Sequence, residues 1–152
     1  AAHVGWEVPI MPIANAVDLV FEAQSRMKGG EVFVLKMPAM RVGTLANAMI
    51  NAYAPEAGYR REEIDIEIIG ERPGERTHEK LVSKDEIRYV RELDDMYVIL
   101  PQIDFDGYHK QEYMDKGSID EEYTSAQADL LSEDRIVDLI DELGGMEDLR
   151  NE

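Results

Sequence analysis

The side chains with the most chemical potential sit in one short run, Arg72-Pro73-Gly74-Glu75-Arg76-Thr77-His78-Glu79. Pro73 fixes its own φ and biases Arg72 towards extended backbone, while Gly74 permits a positive φ. Such a turn holds a guanidinium and a carboxylate in a set geometry. The Arg72 fork suits bidentate recognition of phosphate, and Glu75 suits acceptance of a pair of sugar hydroxyls. One loop therefore carries both groups needed to hold a nucleoside diphosphate. The competing account is a type I or II turn whose charges are solvated or satisfy each other. His78 and Glu79 have the types of an acid–base pair, histidine being the side chain that titrates near neutral pH. A structural or rim position for His78 is the simpler reading and is the one adopted.

Other candidate groups are weaker. His3 and His109 stand in no partner pattern and read as solvated residues. Asp104-Phe105-Asp106-Gly107 and Asp115-Lys116-Gly117-Ser118 have calcium-like composition. Neither has the alternating ligands, sixth-position glycine and twelfth-position glutamate of an EF-hand, so both read as solvated loops. The chain has no Gly-x-Gly-x-x-Gly, no Gly-x-Ser-x-Gly and no metal motif. No tyrosine precedes a lysine by four positions; Tyr113 is followed by Lys116, one place short. No catalytic residue, cofactor contact or metal ligand is assigned to this chain.

The elements that must position the loop follow from periodicity. Residues 1–12 read as a lead-in loop or short extended piece, broken by Pro9 and Pro12. Ile13, Val17, Val20, Phe21 and Met27 predict an amphipathic helix from Ile13 to Lys28, ended by Gly29-Gly30. The apolar run at Glu31–Lys36 predicts a strand buried on both faces, as in a parallel sheet. A second helix is expected from Gly43 or Thr44 to about Tyr53, and a strand at Ile64–Ile69 running into the loop. Thr77–Val82 is ambiguous between a helical turn and a strand. Ser83-Lys84-Asp85-Glu86 is a capping box expected to open a helix through about Leu93. A strand at Met96–Leu100, a weaker one at Glu122–Ser125 and a last helix after Ser132 complete the series. Alternating helix and strand indicate an α/β or α+β class.

Length and composition set the outer limits. With 152 residues and 44% apolar content, the chain is long enough to bury a core. A substrate-binding α/β region at 1–101 and an acidic extension at 102–152, packed on the same domain, are the expected divisions. The extension carries 16 acidic and 4 basic side chains, so it holds most of the net charge of −17. That charge argues against a nucleic-acid partner, since phosphate backbones attract basic faces. No apolar run reaches the length of a membrane span, no signal pattern opens the chain, and cysteine is absent, which together suggest a cytoplasmic protein. The opening Ala1-Ala2-His3, without an initiator Met, reads as a fragment or processed chain.

The motif order runs Ala14–Phe21, Gly29–Pro38, Leu45–Met49, Arg72–Arg76, Ser83–Glu86 and Asp94–Ile99. It resembles the C-terminal portion of the polysaccharide-biosynthesis nucleotide-sugar dehydratases and epimerases, within the extended short-chain dehydrogenase/reductase superfamily. The type it looks most like is UDP-N-acetylglucosamine 4,6-dehydratase. The resemblance is good over residues 10–102 and weak over 103–143, where Tyr123-Thr124-Ser125 is a faint match. It implies the substrate-binding lobe without the Rossmann N-terminal half. It also implies that Arg72 lies against the diphosphate of a UDP-sugar and that Glu75 meets the uridine ribose. Arg76, where the family usually has Lys, and His78 are then candidates for the rim. NAD(P) and the catalytic Tyr and Lys belong to the half not present, so this chain is expected to be inactive alone. The resemblance further implies that Val32–Leu35 pairs with the cofactor domain; without it, an open apolar edge predicts a homo-oligomer. The alternatives from other classes are a non-catalytic acidic protein-interaction module and a stand-alone nucleotide sensor.

Overall fold

The computed structural model of the protein describes residues 5–68, 70, 73–103, 105–108 and 110–143, with backbone alone at Lys110 and Gln111. By internal packing these fall into two units. One takes its residues from 1–10, 38–79 and 129–152, the other from 11–37 and 80–128. The class is mixed α/β, as expected.

In the first unit, β1 (Glu7–Pro9) pairs antiparallel with β3 (Ala39–Arg41), setting Glu7 opposite Arg41 and Pro9 opposite Ala39. The other edge of β3 is also used. Ala39 N–H donates to Asp129 O at 2.9 Å, and Leu131 N–H donates to Ala39 O at 2.9 Å. Flanked on both sides, Ala39 is fully buried, a position that leaves room for a methyl group. Next, β3 feeds directly into α2 (Val42–Tyr53), which packs against α3 (Glu133–Glu142). Ser132 caps α3 by accepting the Arg135 N–H at 3.3 Å, and Glu133 and Asp134 favour its positive end. Ile136 and Leu139 supply its buried face. The Tyr53 hydroxyl donates to Asp141 Oδ1 at 2.8 Å, tying the two helices together at one end.

The expected strand at Ile64–Ile69 does not form over its described part. Residues 64–68 are irregular, and Ile66 and Ile68 are exposed. Alternation and β-branching supply strand propensity, but a strand needs a neighbour to pair with. What fixes this stretch is local: Arg61 donates to Asn47 Oδ1 on α2 at 3.0 Å and to Ile64 O at 3.1 Å.

The second unit is built on β6 (Met96–Ile99), the middle strand of an antiparallel sheet ordered β2-β6-β5. Here β2 is Val32–Leu35 and β5 is Val90–Glu92. Period-2 alternation divides β6 between two clusters. Met96 and Val98 pack with Leu93, Leu100 and Tyr113, whereas Ile99 packs with Val82, Val90 and Tyr123. Asp94 and Asp95 make the two-residue β5–β6 turn, closed by Leu93 N–H to Met96 O at 2.9 Å. A two-stranded ribbon of β4 (Lys80–Val82) and β7 (Tyr123–Thr124) joins the second cluster. In the same unit α1 (Ile13–Arg26) buries no residue, and Ile13, Val20 and Phe21 remain exposed.

Two sequence expectations need correction in this unit. The run at Val32–Leu35 is an edge strand, antiparallel to β6 rather than part of a parallel sheet, and Val32 is 56% exposed. Burial on both faces belongs to β6 instead. The Ser83 box does close: Glu86 accepts from the Ser83 N–H at 2.8 Å and from its hydroxyl. Those bonds, the hydroxyl first, hold the Glu86 carboxyl below the usual carboxylate range despite its burial. No α-helix follows. A 3-10 turn at Ile87–Tyr89 leads straight into β5, because Val90 is fully buried opposite Ile99. Cross-strand burial outweighs the local helix start.

Candidate functional site

The loop singled out by the sequence lies in the first unit, and its turn is of the kind its residues call for. Gly74 has φ 91°, the left-handed conformation that glycine adopts without steric cost. Beyond it the chain is anchored on β1. The Glu7 N–H donates to Thr77 O at 3.3 Å, and Glu7 and His78 form an isolated parallel bridge. A cavity of about 340 Å³ lies between Trp6 with Glu7 and Val8 of β1 on one side and Gly74, Glu75, Arg76 and Glu79 of the loop on the other.

The described parts of the sequence-predicted site are therefore brought together. Glu75 and Arg76 line one cavity and are both solvent-accessible. Arg72 lies outside the described residues, as do His3, His109 and Asp104. Glu79 shares the cavity, while His78 Nδ1 stands 3.3 Å from Glu7 Oε2. Among the described residues, no group of three or more His, Cys, Asp or Glu could hold a metal ion.

Sequence reasoning did not pick out Glu7, Arg41 or Trp6. The Glu7 side chain is only 11% exposed. Its Oε1 accepts both Arg41 Nε and Nη2 at 3.2 Å, and its Oε2 faces His78. A buried carboxylate is tolerated when cations and hydrogen bonds replace its water; here the Arg41 guanidinium holds Oε1 and the His78 imidazole stands beside Oε2. The lead-in segment shows no apolar period and no motif, so nothing local marked Glu7. The chemical capacity of the arrangement is recognition: an accessible carboxylate and guanidinium side by side, next to an indole, with mixed charge and no nucleophile–base pair among the described groups.

The family pattern described as polysaccharide biosynthesis protein matches residues 9–101. An uncharacterised membrane protein of Methanocaldococcus jannaschii is 39% identical over 134 residues, which is 88% of this chain and 38% of that protein. Among the described residues here, no helix is long and apolar enough to cross a membrane. The UDP-N-acetylglucosamine 4,6-dehydratase (inverting) of Campylobacter jejuni is 34% identical over 93 residues, 61% of this chain and 25% of the enzyme. UDP-glucose 4-epimerase of Rickettsia rickettsii is 30% identical over 134 residues, 86% of this chain and 37% of the enzyme. The X-ray structure of Pen from Bacillus thuringiensis superposes with a TM-score of 0.77 at 29% identity, over 95% of this chain and 40% of that one. The chain thus spans well under half the length of each of these relatives. With the pattern running from Pro9 to Pro101, this chain belongs to the polysaccharide biosynthesis protein family.

Proposed function

We propose that this chain is the UDP-sugar-binding portion of a polysaccharide-biosynthesis 4,6-dehydratase or epimerase and catalyses nothing by itself. Glu75 accepts the ribose hydroxyls, Arg72 faces the diphosphate, and Arg76 and His78 stand at the rim. The observation that carries this reading is the positive-φ turn at Gly74, which sets Glu75 and Arg76 on one cavity. Binding energy spent there, away from the reacting sugar carbons, orients the substrate and affects turnover as well as affinity.

Among the described residues, the α-helices begin after Pro12, Arg41 and Ser132, none of them a glycine-rich turn. These residues do not fit the pyrophosphate of a dinucleotide. NAD(P) is accordingly assigned to the cofactor half of the parent enzyme, and no step is drawn through it. The outer edge of β2 is assigned to pairing with that half or with a second copy of the chain. A cytoplasmic setting follows from a nucleotide-sugar substrate.

The chain's single tryptophan lines the cavity and supplies a reporter. Titration with UDP should change Trp6 fluorescence and saturate, and calorimetry should give the same Kd. Arg72→Ala and Glu75→Ala should each weaken binding about tenfold or more, as loss of a charge-assisted hydrogen bond does. Undiminished binding in both variants would sink the assignment.

A further inference from the structure

We infer that Glu7 is a positioning residue for the Gly74–Glu79 loop, a strut through which β1 sets where Glu75 and Arg76 stand. The ligand named in its test rests on the UDP-sugar reading above; the strut itself does not. Glu7 precedes the stretch matched by the family pattern.

Among the described residues Glu7 is the one buried acidic residue. Its two carboxylate oxygens look to two different pieces of chain. Oε1 takes the Arg41 fork from β3, the residue directly opposite Glu7 in the β1–β3 register. Oε2 takes His78 from the loop. Both guanidinium bonds converge on Oε1 and tether that oxygen to β3, which leaves Oε2 to the loop. The same residue's backbone N–H holds Thr77 O. The loop is therefore gripped twice at Thr77-His78, while Pro73 and the left-handed Gly74 constrain its other end. Glu75 and Arg76 lie between the two constraints. Nothing in this scheme requires Glu7 to touch a ligand.

Among the described residues, the charged or titratable groups around this junction include Arg41 from β3 and Glu75, Arg76, His78 and Glu79 from the loop.

The test uses the full chain with Glu7→Gln, His78→Gln and the double variant. Glu7→Gln keeps the size and an acceptor but removes the charge. Amide NMR shifts of Gly74, Glu75, Arg76 and Thr77 are followed alongside thermal melting and the UDP Kd by calorimetry. Both single variants should move the same loop amides, and the double variant should add little to either. Each variant should weaken UDP about three- to tenfold, the size expected when a binding group is misplaced rather than removed. A purely structural Glu7 would lower the melting temperature and leave the loop amides and the UDP Kd where they are in the parent, which overturns the inference. Additive effects of the two substitutions, or loop amides that do not move, overturn it as well. If Glu7→Gln does not fold, His78→Gln still decides. Should the parent fail to bind UDP while the loop shifts remain coupled, the strut stands and the nucleotide reading falls. If UDP binds and both variants behave as the parent, the reverse holds.

Discussion

Replacing Gly74 by alanine isolates the turn from everything else at the site. Gly74 has φ 91°, and a β-carbon built there meets no atom within 4 Å. No neighbour has to move, so the cost is backbone strain alone, about 1–2 kcal/mol for an L-residue held in left-handed space. The loop can relieve that strain by re-forming the turn, which swings Glu75 and Arg76 while Thr77 stays tied to Glu7. If the native turn is what binds UDP, restoring it on binding charges the same 1–2 kcal/mol against affinity, a loss of about 5- to 30-fold. Gly58→Ala is the matched control, with φ 83° and equally open space but no place in the cavity. It should lower the melting temperature and leave the UDP Kd unchanged. Gly74→Asn should recover part of the lost affinity, because asparagine tolerates this region better than alanine. Trp6 fluorescence gives the Kd values and circular dichroism gives the melting curves. Wild-type UDP affinity in Gly74→Ala, beside the expected destabilisation in Gly58→Ala, would refute the idea that this turn presents the binding groups.

Two further substitutions probe the framework. Met96 is fully buried in the first cluster of the second unit, so Met96→Ala should cost about 2–5 kcal/mol in denaturant unfolding, whereas Met27→Ala, at a side chain that is 52% exposed, should stay within about 0.5. Tyr53→Phe should cost about 1 kcal/mol at neutral pH by removing the bond to Asp141. Burial, then the hydrogen bond and charge of Asp141, push the Tyr53 hydroxyl from 10.0 up to about 12. A raised tyrosine favours the folded state while the hydroxyl is protonated in both states; that advantage fades as pH climbs from about 10 through 12. The difference in melting temperature between parent and Tyr53→Phe should therefore shrink across that window, and a constant difference would contradict the assignment.

What the sequence made legible was local. α1, α2 and α3 announce themselves because their apolar residues recur at helical spacing, and Ser132 is the cap its type suggests. β6 is legible as a short apolar run stopped by Pro101. Gly74 adopts the positive φ for which its residue type is suited. The errors share a cause, which is that local preference was read where a distant neighbour decides. The Ser83 box is real, yet Val90 opposite Ile99 turns the chain into β5 after one 3-10 turn. Ile64–Ile68 alternates as a strand should, yet has no strand beside it among the described residues. β3 is three residues long, too short to carry a period, and is specified by pairing with β1 and with the segment at Asp129–Leu131.

The candidate site divides along the same line. The turn that exposes Glu75 and Arg76 is written in Pro73-Gly74, so it could be found by inspection. Its direction cannot be, because a turn fixes relative angles over four residues and not the plane in which they lie. Orientation comes from Glu7, which meets the loop only once the chain has folded back on β1. Its charge is kept buried by Arg41 from one strand and His78 from the loop. Removing Arg41 takes two charge-assisted hydrogen bonds from a carboxylate that is only 11% exposed. For that reason the loop and β1 should be read as one mechanical element: under the proposed function the motif supplies the groups for a ligand, and a glutamate outside the motif supplies the angle at which they stand.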